Sequence, residues 1–324
     1  MGTLVKHRGS SVEYAKQDPA LALVSLFRPI CRGKRPGGLA FESEYDGLRL
    51  KFNVWQALDV RDQSVLLAAV GLAGLLDNEL KELHSGITHP RGQQLWLDLE
   101  PSEAAVMDRA IVLRTTRYAL LQAAGMGDRA KDYGVLEDCL ERLSMVGCRA
   151  RKDGFDWSMR LLSYASSDDG TIHVALNPRF AEALAGQHVR VSLIERHALG
   201  GEVAQIMHAW LSAWIRPGRA GTIALDKLAD KVWGSRSANA STLTTRRDRI
   251  TRALKELGGL EGWSVTLSGR GAGAVAEVSR PKQLPRNQRQ TTAQSETKPI
   301  LKKSLKPRAG AGFGGFAFLR TSIY

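Results

Sequence analysis

Arg246, Arg247, Arg249 and Arg252 follow Ser241, Thr242, Thr244 and Thr245 along one stretch of helical spacing. Guanidinium forks and hydroxyls near a helix N-terminus have a definite chemistry: they clamp phosphate oxygens and hydrogen-bond base edges. Leu243, Ile250, Leu254 and Leu257 recur on one side of that helix as its buried stripe. At about 100° per residue, Ser241, Thr245, Asp248, Arg249 and Arg252 point away from the stripe, and Arg246 and Arg247 flank it. A merely solvated basic helix would carry the same pattern, so its neighbours have to decide.

Those neighbours are a helix, a turn and a hairpin. Leu225, Leu228, Ala229, Val232 and Trp233 share one face of a predicted helix over residues 225–233, which Gly234 ends. A polar turn covers residues 235–240. Beyond the basic helix, residues 263–267 and 275–279 alternate like two strands around Gly269, Arg270 and Gly271. Together these are the parts of a winged-helix module that reads duplex DNA, with Arg270 at the wing tip.

The same pattern occurs earlier in the chain. Thr116, Ala119, Leu120, Ala123, Ala124 and Gly125 align with Leu225, Leu228, Ala229, Val232, Trp233 and Gly234. Leu136, Cys139, Leu140, Leu143 and Val146 match Ile250, Ala253, Leu254, Leu257 and Leu260 at one constant offset, and a candidate hairpin runs over residues 149–160. An internal duplication is the economical interpretation. The earlier second helix places Glu137, Asp138, Glu141 and Arg142 outward, and carboxylates are repelled by a phosphate lattice. Its partner helix opens with Arg114, Thr115, Thr116 and Arg117, and its wing carries Arg149, Arg151, Lys152 and Arg160. The earlier unit therefore reads as a backbone clamp or a protein-facing surface, and the later one as the sequence reader.

The chain has 324 residues, of which 43% are hydrophobic, enough for two domains with cores of ordinary size. No apolar run reaches the length of a membrane span, and the N-terminus lacks a signal-peptide pattern. Cys31, Cys139 and Cys148 are an odd count without metal spacing, and Cys139 falls on the predicted buried stripe, which points to reduced thiols in a cytosol. The formal charge of +13 implies a polyanionic partner. From Lys282 onward there are nine Lys and Arg against Glu296 alone, in a Gln-, Ser-, Pro- and Gly-rich stretch too apolar-poor to fold.

The expected fold class is α+β, mostly helical: two tandem winged-helix domains with β-hairpin wings and a disordered basic C-terminal tail. Residues 1–50 form an N-terminal arm with a helix over residues 12–27 and a basic segment. Residues 51–180 and 181–282 form the two winged-helix domains, and residues 283–324 the tail. Further expected elements are a strand over residues 48–54, an apolar helix over residues 59–76 capped by Asp59, and helices over residues 178–185 and 192–215. Trp210 and Trp214, one turn apart, read as core.

From about Asp18 to Lys282 the chain closely resembles the replication initiator protein C of IncQ-type broad-host-range plasmids. The resemblance is carried by Gln94-Leu-Trp-Leu-Asp-Leu-Glu-Pro101, Asp138-Cys-Leu-Glu-Arg-Leu143, Arg160-Leu-Leu-Ser-Tyr-Ala165 and Val174-Ala-Leu-Asn-Pro178. It continues through Gly186-Gln-His-Val-Arg190, Trp263-Ser-Val-Thr266 and Arg280-Pro-Lys282. It implies two winged-helix domains that bind directly repeated origin sequences (iterons) and open the adjacent AT-rich duplex. It also implies a separate plasmid-encoded hexameric helicase and a primase as partners.

Enzyme classes fit poorly. A nicking initiator needs paired metal-binding histidines, and no His-x-His occurs. A nucleotide-hydrolysing motor needs a loop ending in Gly-Lys-Ser or Gly-Lys-Thr, whereas Gly33-Lys34 continues with Arg35. The expectation is a DNA binder without cofactor, metal or membrane association. The sequence leaves monomer and homodimer open. The nearer rival is a winged-helix transcriptional regulator or autorepressor, which would use the same helix on DNA.

Overall fold

Pro19 sets the first departure from the sequence pattern. The computed structural model describes residues 12–30, 35–45, 47–75, 81–237 and 239–282. Instead of one helix over residues 12–27 it has strand β1 (Tyr14–Gln17) and the short helix α1 (Pro19–Leu23). Proline has no N–H to continue a helix through it but suits a first turn. Asp18 caps that turn, its carboxylate accepting the Leu21 N–H at 2.9 Å.

β2 (Gly37–Tyr45) and β3 (Leu48–Gln56) form an antiparallel hairpin. Leu50, Phe52 and Val54 of β3 face the core, while Arg49, Lys51, Asn53 and Trp55 face water. α2 (Val60–Leu75) is buried along most of its length, and Asp59 caps it by accepting the N–H groups of Arg61 and Asp62. β4 (Lys81–Leu83), α3 (Pro90–Asp98), β5 (Ser102–Glu103), β6 (Ala110–Thr116), α4 (Arg117–Ala123) and α5 (Ala130–Ser144) follow. The hairpin of β7 (Val146–Lys152) and β8 (Phe155–Arg160) turns at Asp153 and Gly154, with φ of 40° and 85°. β9 (Leu162–Ser166), β10 (Thr171–Leu176), α6 (Pro178–Ala185), β11 (Val189–Ser192) and α7 (Leu193–Ala198) complete this part. β1 pairs antiparallel with β11.

The remaining elements are α8 (Glu202–Trp214), β12 (Ala220–Ala224), α9 (Leu225–Trp233), α10 (Ala240–Gly258), β13 (Ser264–Ser268) and β14 (Val275–Ser279). Besides the β1–β11 pair there are three sheets, ordered β2-β3-β7-β8-β5, β4-β6-β10-β9 and β12-β14-β13. Strands are thus more numerous than the sequence pattern shows. The two hairpins also differ in wiring. β14 pairs with β12, the strand just before its own helix pair, whereas β7 pairs with β3 and leaves β6 to β4 and β10.

Two apolar cores result. The first is built from residues 12–193 and includes Leu136, Cys139, Leu140, Leu143 and Val146. The second includes Ile206, Leu211, Leu228, Val232, Ile250, Leu254, Leu257, Trp263 and Val278. Each helix at their junction serves both: α2 lends Val60 to the second core, and α8 lends Ala209 to the first. Arg196, with no exposed surface, ties the same junction together. It donates to the carbonyls of Gln205 and Val60 at 2.6 and 3.0 Å and to the Ser64 hydroxyl at 3.0 Å. Burial pushes its guanidinium down to about 9, so it remains a cation at neutral pH.

Two expected placements are corrected. Arg114, Thr115 and Thr116 do not open a helix; β-branched Ile111, Val112, Thr115 and Thr116 run in β6, and Arg117 is the first residue of α4. Thr116 caps α4 by accepting the Ala119 N–H at 3.1 Å. Arg142 does not point outward with Glu137, Asp138 and Glu141, because its guanidinium turns in to the buried carboxylate of Asp62 at 2.9 Å. The chain divides into two units, Met1–Arg286 and Asn287–Tyr324. Cys31 and the expected disordered tail over residues 283–324 lie outside the described residues.

Candidate nucleic-acid interface

α9 ends where Gly234 adopts φ 70°, a left-handed conformation that residues with a Cβ rarely take. After a short turn Asn239 caps α10, its side chain accepting the Thr242 N–H at 3.1 Å. The first turn of α10 holds no carboxylate. The positive end of the helix therefore faces water with Ser241, Thr242, Thr244 and Thr245 around it, all exposed. Thr244 and Thr245 donate their hydroxyls to the carbonyls of Ala240 and Ser241, at 3.1 and 3.0 Å. Their oxygens keep lone pairs for an outside donor.

The four arginines of α10 have different duties. Arg247 grips Asp226 of α9 with two hydrogen bonds, 2.6 and 2.7 Å. These hold the Asp226 carboxyl below the usual carboxylate range, against the opposing effect of burial. Arg246 donates to the Ser235 carbonyl at 2.7 Å and lies 5.2 Å from the centre of the Trp233 ring, so it braces the turn. Arg249 stacks on the same ring at 5.3 Å, half-buried. Arg252 is exposed and, among the described residues, makes no ion pair. Ser241, Thr242, Thr245, Asp248 and Arg252 thus form the outward face, with Arg249 held rigidly at its margin.

Exposed cations that the sequence pattern did not single out lie on the neighbouring α9 and turn. Lys227 and Lys231 lie exposed four residues apart on α9, and Arg236 is exposed in the turn. The four-residue spacing was a readable signal for the lysines. Arg270 is exposed beside the tip of the β13–β14 hairpin, where Gly269 and Gly271 take φ of 73° and 58°. The far end of α10 is tied down by Glu256, whose carboxylate accepts the Gly201 N–H at 3.1 Å.

The candidate residues of the first part are mostly engaged within the protein. Arg149 and Arg151 share the carboxylate of Asp156, and the hydrogen bond from Arg149 does most to hold that carboxyl down at about 2. Arg160 pairs with Glu100 at 2.5 Å, and Arg117 with Glu137 at 3.2 Å. Lys152 is exposed at the β7–β8 turn. Arg114 is exposed on β6 and makes no ion pair among the described residues. The structure therefore gathers Ser241, Thr242, Thr245, Arg249 and Arg252 on one face of α10, ties Arg246 and Arg247 to the turn and to α9, and leaves the candidates of the first part dispersed.

The family model of replication protein C (RepC) matches residues 9–282. Among solved structures, the chain is similar to a selenomethionine crystal structure of domains 2 and 3 of RctB. The TM-score is 0.46 and the identity 11%, over 78% of this chain and 94% of that one. A second crystal structure of RctB domains 2–3 gives a TM-score of 0.45 and 12% identity, over 81% of this chain and 96% of that one. No curated protein matches the sequence.

Proposed function

Because the chain belongs to the replication protein C (RepC) family, we propose that it is a replication initiator of a plasmid and reads origin DNA through α10. In this proposal α8, β12, α9, α10 and the β13–β14 hairpin act as a winged-helix unit. α10 enters the major groove, and Arg270 reaches the flanking backbone. Residues 51–180 form the second grip. The observation that carries the proposal is the outward face of α10: exposed hydroxyls at a helix N-terminus free of acid, followed one and two turns later by Arg249 and Arg252.

The ligand is duplex DNA with directly repeated sites beside an AT-rich tract, and the protein works in the bacterial cytoplasm. It needs no cofactor and turns over no substrate of its own; a separate hexameric helicase and a primase supply the motor and the primers. Among the described residues no helix is long and apolar enough to cross a membrane. Bending a 20–30 bp site by 40–90° costs on the order of 1–6 kcal/mol, within reach of phosphate contacts distributed along the chain. That strain is released where stacking is weakest, which favours opening of the AT-rich tract.

The test is nuclease footprinting combined with permanganate probing on a supercoiled origin plasmid. Protected repeats with reactive thymines beside them are the expected result. Arg252→Ala and Arg249→Ala each weaken cognate binding by ~1–3 kcal/mol if the residue makes a bidentate base contact. Protection of a lone palindrome without reactive thymines would make the protein a regulator instead.

A further inference from the structure

The four-stranded sheet β4-β6-β10-β9 carries cations that the β7–β8 hairpin, for all its arginines, does not leave available. Residues directly opposite on antiparallel strands project to the same face. His173 of β10 lies opposite Arg114 of β6 and Ala165 of β9; two residues along, Ala175 lies opposite Val112 and Ser163. Val112 in turn lies opposite Lys81 of β4. Lys81, Arg114, His173 and Ser163 therefore share one face. α3 docks on that face, since the Ser163 hydroxyl donates to the Leu95 carbonyl at 2.7 Å. One turn before Leu95, α3 carries Arg91.

Lys81, Arg91 and Arg114 are all exposed, and none makes an ion pair among the described residues. Their positive field converges on His173. Burial first, then Arg91, Arg114 and Lys81, push its imidazole below its ordinary value. The opposing carboxylate is Asp169, in the turn between β9 and β10. It accepts the Thr171 N–H at 2.9 Å. Hydrogen bonds from Thr171 first, then the charges of Arg114 and Arg91, hold its carboxyl below the usual range, so it offsets part of this positive charge. The nearby Glu82 alternates onto the other face of β4 and pairs there with Arg109 at 2.6 Å.

We propose that this face, with Lys81, Arg91 and Arg114 around His173, binds phosphates of the duplex backbone. It would then be the first part's DNA contact in place of the β7–β8 hairpin. The inference rests on the DNA-binding function proposed above and adds the site. Three exposed cations, without an ion pair among the described residues, outweigh the Asp169 carboxylate and fit a line of phosphates. By contrast, Arg149, Arg151 and Arg160 already have protein carboxylates as counterions. Such a contact positions the chain without selecting sequence.

The test is the salt dependence of binding to an origin duplex and to an unrelated duplex, using the full chain. Each neutralised phosphate adds about 0.9 to the slope of log affinity against log salt. The Lys81→Gln, Arg91→Gln, Arg114→Gln triple variant is expected to lose about 2–3 from that slope on both duplexes while keeping its preference for the origin. Charge-conserving Arg91→Lys and Arg114→Lys keep the slope, as does the Arg149→Gln, Arg151→Gln pair. An unchanged slope in the triple variant overturns the proposal and leaves the face to an acidic protein partner. So does an equal loss in the Arg149, Arg151 pair. Failure of the α10 reading is separate, because it appears as unaltered origin preference in Arg252→Ala.

Discussion

Arg247 and Asp226 lock α10 to α9 through a two-pronged hydrogen bond, 2.6 and 2.7 Å long, that spans the helix–turn–helix. An arginine on the flank of a basic helix is thereby turned into a fastener. The consequence for mutagenesis is direct. Arg247→Ala and Asp226→Asn should each lower the melting temperature, and the double variant should be no worse than the more harmful single change. Arg247→Lys should rescue only in part, because an ammonium cannot reproduce the fork. Additive losses in a thermal-melt cycle would show that the two residues act independently.

Arg196 should be the most sensitive charged residue in the protein. It has no exposed surface and supplies hydrogen bonds to the Val60 and Gln205 carbonyls and the Ser64 hydroxyl. Arg196→Ala leaves a cavity and strands acceptors, at a cost of about 2–5 kcal/mol. Urea denaturation checks this, and a loss within experimental error would mean that water enters and replaces the guanidinium.

Acid should destabilise the fold through buried imidazoles. His208, without exposed surface, donates its Nε2–H to Glu195 Oε2 over 2.8 Å and lies 5.5 Å from the Trp263 ring centre. Burial, the largest influence, pushes its pKa below the ordinary value; Arg196 and Arg280 add to this and Glu195 opposes it. The native state therefore holds His208 neutral, while the unfolded chain takes up its proton below about pH 6.5. Stability is full above that pH and falls as the solution is acidified. His173 and His197 are lowered too, with burial again the largest cause, so they act with the same sign. Urea midpoints compared at about pH 7 and 5 should fall, and fall less in His208→Gln. An unchanged pH dependence in that variant would remove His208 from the account.

Gly234→Ala should cost about 1–2 kcal/mol, since φ there is 70° and a Cβ would come within 2.9 Å of the Arg28 guanidinium. Gly134→Ala on α5 is the control. Its Cβ meets nothing within 4 Å, and helix propensity there favours alanine.

Much of the later part of the chain was legible because its cues are local. The apolar face of α9 and its terminal Gly234 fix that helix within one stretch of sequence, and the Pro178 start of α6 does the same. The alternation at β13 and β14 brackets a glycine-rich tip. β1 was hidden because its partner is β11, far along the chain, and its few residues carry no period of their own. Arg114 has the look of a helical residue in the sequence because a helix does begin three positions later. The duties of the basic side chains were the least legible. Asp226 lies 21 residues before Arg247, and Asp62 lies 80 before Arg142. Asp156, by contrast, follows Arg149 and Arg151 within one hairpin, so the hairpin's internal pairing could have been read from the sequence.

Truncation after Lys282 should leave recognition of cognate repeats intact and weaken binding to unrelated duplexes. The removed segment carries eight Lys and Arg against Glu296. Each phosphate it neutralises contributes about 0.9 to the salt slope. An identical slope and identical non-specific affinity after truncation would show that the segment does not touch DNA.

Val60 and Ala209 exchange places, each a residue of one core carried on a helix of the other. Cores joined that way have no seam along which to part. Melting the second withdraws packing from the start of α2, and melting the first strips the flank of α8. The thermodynamic outcome is shared cooperativity: one calorimetric transition, with matching van't Hoff and measured enthalpies, in place of two separate domain transitions.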